Sequence, residues 1–151
     1  MGFLCDEMLA RLARLLRAAG HDTLLATGGA PDSLLLGLAR WEHRLLLTQD
    51  RRLAARAAPF AALVEGRSAM DQARSLSRAA AVDWRCAPFT RCLVDNARLV
   101  LAGPSALAAM PPEAQAGPGP FRACPICGRA YWPGSHVKRL AERLATLAGD
   151  D

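Results

Sequence analysis

Apolar positions in the first eighty residues alternate between short continuous runs and helical spacing. Phe3-Leu4-Cys5, Thr23-Leu24-Leu25-Ala26, Leu45-Leu46-Leu47 and Ala61-Ala62-Leu63-Val64 are continuous runs. Runs of this length predict strands buried on both faces, as in a parallel sheet. After the first run, Leu9, Leu12, Ala13, Leu16 and Ala19 recur at helical intervals and predict a helix from Glu7 to Ala19, stopped by Gly20. A second helix is expected from Asp32 to about Glu42, with Leu34, Leu35, Leu38 and Ala39 inward. A third covers Asp50 to Ala57 and a fourth Ser68 to Ala81. The order β-α-β-α-β-α-β-α implies a parallel sheet with helices on both faces and right-handed crossovers, a three-layer α/β/α arrangement.

The rhythm stops near residue 83. Prolines cluster at 104, 111, 112, 118 and 120, and cysteines appear at 92, 124 and 127. The expected organisation is therefore an α/β unit over 1–83 and a second, loop-rich unit over 84–151, closed by a helix from Ser135 to Leu147.

Composition adds three limits. Hydrophobic residues make up 52% of the 151, which suits a chain with a core and not a disordered one. No apolar run approaches the roughly 20 residues of a membrane span, and the N-terminus lacks the pattern of a signal peptide, so a cytoplasmic protein is expected. In that compartment five cysteines read as thiols or metal ligands in preference to disulfides. The formal charge is +5, from 19 basic and 14 acidic residues, and arginine supplies nearly all of the basic charge. That balance suits a polyanionic partner.

Asp6, Asp32 and Asp50 each follow a predicted strand and begin a predicted helix. In a parallel sheet such positions share the edge at the strands' carboxyl ends, where open α/β folds bind ligands. Aspartate is also a favoured helix N-cap, which explains any one of them singly. Three carboxylates on one edge repel one another unless a cation neutralises them, and hard oxygen donors suit Mg²⁺ or Mn²⁺. Glu65 and Asp71 are rival candidates for a fourth acid; Glu7 is expected to face outward. His21, Asp22 and His43 fall in helix-to-strand connections on the far edge and are discounted as catalytic. Arg11, Arg14 and Arg17 lie three apart on one helical flank, read either as a solvated face or as phosphate contacts; Arg51 and Arg52 begin the third helix.

Cys124-Pro125-Ile126-Cys127-Gly128 has the form of a zinc knuckle, in which a tight turn brings two thiolates to one metal. A redox Cys-x-x-Cys would want a strand-to-helix setting, which these Pro/Gly-rich flanks do not offer. Upstream, the counterpart is Cys92-Leu93-Val94-Asp95, so a structural Zn²⁺ with three cysteines and one aspartate is expected, with Cys86 and His136 as rival fourth ligands. Cys5 reads as a buried strand residue. Tyr131 and Trp132 read as core of the second unit or as stacking surface for bases.

Phe3-Leu4-Cys5-Asp6-Glu7-Met8-Leu9, Arg11 to Arg14, Gly20-His21-Asp22-Thr23, Arg44 to Arg51, Phe89 to Cys92 and the tail Cys124 to His136 together resemble the Mut-seven C-terminal RNase domain family, over nearly the whole chain. The resemblance implies a PIN-like nuclease domain fused to a C-terminal zinc ribbon, and metal-dependent cleavage of RNA. It carries Asp6, Asp32 and Asp50 over as Mg²⁺- or Mn²⁺-binding acids, the same three that topology selects. Two departures stand out: Asp95 occupies the place of the family's second zinc cysteine, and the loop Gly28-Gly29-Ala30-Pro31 lacks acids often found there. Arg11, Arg14, Arg51 and Arg52 are then candidate contacts to RNA phosphates. A non-catalytic nucleic-acid-binding or adaptor module on the same fold is the alternative expectation.

Overall fold

The computed structural model describes residues 2–149. Four parallel strands form the main sheet: β1 (Gly2–Cys5), β2 (Thr23–Leu25), β3 (Arg44–Thr48) and β4 (Ala61–Leu63). Their spatial order is β2-β1-β3-β4. Phe3 stands between Thr23 and Leu45, and Leu47 stands between Cys5 and Ala62. The chain leaves β1 in one direction for β2, then crosses back to β3, so β1 and β3 flank the point where strand order reverses. Open α/β sheets form their ligand crevice at the carboxyl ends of such a pair.

Helices α1 (Ala10–Ala18), α2 (Asp32–Trp41), α3 (Arg51–Ala57) and α4 (Ala69–Ala79) connect and follow these strands. The pleat sends successive side chains to opposite faces. Phe3, Cys5 and Leu47 face α1 and α4, whereas Leu4 and Leu46 face α2 and α3. Leu46 and Leu47 are both fully buried, as expected for a strand covered on two sides. The predicted inner face of the first helix also holds, with Leu9, Leu12, Ala13, Leu16 and Ala19 all at zero exposure. Its first turn, Glu7–Leu9, is a 3-10 turn and not α-helix.

Two expectations fail. Leu34 is 57% exposed. The buried stripe of α2 is centred on Leu35 and Ala39, flanked by half-buried Leu36 and Leu38, and Leu34 falls outside it. Arg17, grouped with Arg11 and Arg14 on a solvated flank, is 6% exposed. A helix turns about 100° per residue, so three-residue spacing drifts around the cylinder, and Arg17 is carried onto the docked face.

Beyond α4 come β5 (Val100–Leu101), α5 (Pro104–Ala108), α6 (Pro112–Gln115), β6 (Arg122–Ala123), β7 (Ala130–Tyr131) and α7 (Ser135–Leu147). The three short strands form an antiparallel sheet in the order β5-β6-β7. Trp84, Leu93, Leu140 and Leu144 join the α1–α4 core cluster, so this half packs on the outer side of that layer. Backbone bonds from Ala87 and Phe89 to the carbonyls of Ala19 and Ala18 dock residues 87–89 on the end of α1. Gly20 (φ +98°) is required there twice over: a Cβ would collide with the Ala87 carbonyl, and the backbone is left-handed. Among the described residues, no helix is long and apolar enough to cross a membrane.

Candidate functional site

The sheet edge and the cysteine cluster are two separate places with different chemistry. At the edge, Asp6 directly follows β1, and Asp50 stands two residues beyond the end of β3. Thr48, fully buried as the last residue of β3, joins them. Its hydroxyl donates to Asp6 Oδ2 at 2.9 Å and accepts from the Asp50 N–H at 3.1 Å. The other Asp6 oxygen, Oδ1, accepts from the Glu7 N–H at 2.8 Å. Asp50 Oδ1 accepts from the N–H groups of Arg52 and Leu53 and caps α3. Each carboxylate therefore uses part of its acceptor capacity as a cap and keeps the rest toward solvent, since an ionised carboxylate offers about four lone-pair directions.

Asp32 begins α2 on the same edge, but its side chain is directed at Arg56 of α3, 3.6 Å away. Glu65, after β4, pairs with Arg51 at 2.9 Å. Asp71 is occupied locally: its N–H donates to the capping Ser68 hydroxyl, that hydroxyl donates to the Asp71 carboxylate, and Arg74 pairs with the same carboxylate. Of the two rivals for a fourth acid, Glu65 stands at the strand end and Asp71 serves its helix. The Gln49 and Gln72 side-chain amides both donate to the Gly66 carbonyl, which ties the β3 and β4 loops together.

Among the arginines, Arg11 and Arg52 are exposed. Arg14 turns away from the edge and donates to His136 Nε2 on α7 at 2.9 Å. The far-edge residues are structural. Asp22 holds Arg44 in a two-point salt bridge, and its carboxyl sits below the ordinary aspartate value: partial burial works against this, but hydrogen bonds from Arg44 and Asn96 prevail. The His21 ring stands edge-on to Phe3 and bonds the Asp83 carbonyl.

The cysteine cluster is assembled by two turns of matching geometry. In one, Cys92 N–H donates to Ala97 O and Asn96 N–H to Cys92 O; in the other, Cys124 N–H donates to Arg129 O and Gly128 N–H to Cys124 O. Asn96 (φ +72°) and Gly128 (φ +77°) fill the same left-handed position. Asp95 thus occupies in the first turn the place Cys127 occupies in the second. The ligand atoms of Cys92, Asp95, Cys124 and Cys127 all lie within 4.8 Å of one another. Neither Cys86 nor His136 belongs to this group: Cys86 is exposed and His136 faces Arg14.

The separations suit a tetrahedral ion. Cys92 Sγ and Cys127 Sγ are 3.7 Å apart, close to the ~3.8 Å edge of a tetrahedron with metal–sulfur bonds of about 2.3 Å. Cys124 Sγ lies 3.2 Å from Asp95 Oδ2. Burial pushes the Cys124 thiol up to about 11. Cys92 is held below the usual thiol value; burial opposes this, but the Tyr131 hydroxyl 3.1 Å from its sulfur, together with hydrogen bonds from the Asp95 and Val94 backbone and from Cys127, outweighs it. Tyr131 also accepts from the Leu93 N–H, so its part is structural. The four residues could hold zinc.

Among the described residues, this is the one group of three or more His, Cys, Asp or Glu side chains drawn this close; Asp6, Asp32 and Asp50 are not so gathered.

Arg17 escaped the sequence reading. Its guanidinium donates to the carbonyls of Thr23, Leu93 and Val94, and the last two lie between ligands Cys92 and Asp95. No local pattern marks it, because two of its three partners are 76 and 77 residues away.

A family model described as the Mut7-C RNAse domain matches residues 1–144. No curated protein and no solved structure matches the chain.

Proposed function

The chain belongs to the Mut7-C RNAse domain family, and on that premise we propose that it is a PIN-like, metal-dependent ribonuclease that cleaves RNA phosphodiester bonds at the carboxyl edge of its parallel sheet. The observation that carries the reading is the Asp6–Thr48–Asp50 link at the β1/β3 reversal point. Two acids brought together there by a buried hydroxyl sit where such sheets bind ligands.

Asp6, Asp32 and Asp50 would hold Mg²⁺ or Mn²⁺. The donor chemistry fits: three carboxylates and no sulfur suit a hard cation. Such an ion, when bound, lowers the pKa of its water and neutralises charge on the phosphoryl oxygens. The chain's own residues do the rest. Thr48 holds Asp6 by one oxygen and the Asp50 backbone by its N–H, so both acids are fixed before the substrate arrives. Asp32 gives up an exposed contact with Arg56, which is worth little in water. Glu65, released from Arg51, is the fourth acid. Arg11, Arg14, Arg51 and Arg52 contact the RNA backbone, making binding salt-dependent.

The cysteine cluster serves as the structural zinc site. It lies at the turns that dock on α1 and not at the sheet edge.

The test is cleavage of RNA with Mn²⁺ by the wild type and by Asp50→Asn. Loss of cleavage in the variant is expected, and equal activity in both removes the mechanism. A second reading has its own support: Asp6 and Asp50 are hydrogen-bonded N-caps and Asp32 is ion-paired, roles that need no catalysis. On that reading the chain binds RNA but cleaves none under any divalent ion.

A further inference from the structure

Away from the acid edge, a cavity of about 310 Å³ opens between α1, the 93–94 turn, β7 and the first turn of α7. Its apolar wall includes Val94, Trp132 and Val137, and its polar lining includes Arg14, Arg129 and His136. No acidic residue lines it. Arg14 and Arg129, with Arg139 and Arg143 further along α7, form no ion pair with any carboxylate among the described residues. Arg14 instead spends a donor on neutral His136 Nε2, whose imidazole is held below its ordinary value by burial and by the guanidinium groups of Arg14, Arg139 and Arg143. Positive charge is thus concentrated at this mouth, which no carboxylate lines. The N-terminus of α7, a 13-residue helix, opens here on Gly134 with no side-chain cap and no acid in its first turn.

The geometry points to this cavity as a nucleotide-binding subsite for single-stranded RNA, with a base against Trp132 and its phosphate between Arg14, Arg129 and the start of α7. The inference rests on the ribonuclease reading and adds where the strand is held. An apolar wall carrying an aromatic ring suits the face of any base, and a ring of guanidinium groups suits phosphate oxygens. Arg11 lies one turn from Arg14 toward Asp6, so the strand leaving this pocket has a basic step on its way to the acid edge.

The experiment measures anisotropy of a fluorescent single-stranded RNA of about 12 nucleotides, a length suited to such grooves, without chelator and without added Mg²⁺ or Mn²⁺, so that the cysteine cluster keeps its metal and no cleavage intervenes. Wild type, Arg129→Ala, Arg14→Ala/Arg129→Ala, Trp132→Leu and Arg40→Ala are compared at several salt concentrations. The double arginine variant is expected to flatten the salt dependence by about 1.4, from two phosphate contacts at ~0.7 each. Trp132→Leu is expected to weaken binding about tenfold without changing that slope. Arg40→Ala, at an exposed position in the last turn of α2 outside both sites, should bind as the wild type does. Arg129→Ala alters an exposed loop residue and guards against misfolding of the double variant. If the cavity variants bind within twofold of the wild type with the same slope, the subsite is wrong. Cleavage plays no part in this readout, so a failure of the catalytic reading is told apart from a failure of this one.

Discussion

Arg17 Nη1 lies 3.1 Å from the Leu93 carbonyl, joining the first helix to the turn that presents Cys92 and Asp95. The same nitrogen reaches the Val94 carbonyl at 3.0 Å, and Nε reaches the Thr23 carbonyl at 2.9 Å. Burial draws this guanidinium below its ordinary value, yet an arginine stays charged, so all three acceptors serve a buried cation. Arg17→Ala strands those carbonyls and is expected to cost about 3–5 kcal/mol of stability. Arg17→Lys recovers only part, because an ammonium cannot span the same fork. Urea unfolding measures both; a loss under about 1 kcal/mol would show that the clamp is dispensable.

Thr48→Val keeps the shape of the last β3 side chain and removes its hydroxyl. The Asp50 N–H then loses its partner inside a half-buried turn, and Asp6 loses its fixed orientation. Stability should fall by about 1–2 kcal/mol and Mn²⁺-dependent RNA cleavage by about ten- to a hundredfold. Thr48→Ser should restore most of both. Unchanged cleavage in Thr48→Val would detach this hydroxyl from the chemistry.

Arg56 competes with any cation for Asp32. Arg56→Ala should shift the Mn²⁺ concentration for half-maximal cleavage downward, by up to about fivefold for an exposed pair. A shift upward, or none, argues that Asp32 does not ligate the ion.

Asp95 fills a cysteine's place in a turn built like its neighbour. Asp95→Cys should let the protein keep its zinc at chelator concentrations that strip the wild type, since thiolate is the softer ligand. Cys124→Ser should lose both metal and thermal stability. Metal analysis of the purified protein should give about one zinc per chain, as one tetrahedral site requires.

The Asp22–Arg44–Asn96 group predicts a pH dependence. The Asp22 carboxyl is held below its usual value in the fold, so its ionised form stabilises the protein above the unfolded value of about 3.9. That contribution is lost as pH falls through the lower folded value. The stability gap between wild type and Asp22→Asn should therefore narrow as pH drops below about 4. A gap that stays constant with pH would assign Asp22 a role in packing alone.

The apolar runs determined the α/β order, the parallel sheet and its double burial, because a strand covered on both faces needs continuous hydrophobicity and leaves a mark that needs no partner to read. Leu45-Leu46-Leu47 carries that mark, and so do the five inward positions of the first helix. The sequence also placed Asp6, Asp32 and Asp50 at strand-to-helix junctions, and Cys124-x-x-Cys127-Gly128 in a metal turn, since both patterns are local. It did not place Arg17, because a buried cation is identified by acceptors more than seventy positions away. Nor did it send Arg14 to His136 and Asp32 to Arg56. Those outcomes depend on which surfaces the packed helices bring within hydrogen-bond reach, and side-chain contacts of that range exist only once the chain is folded.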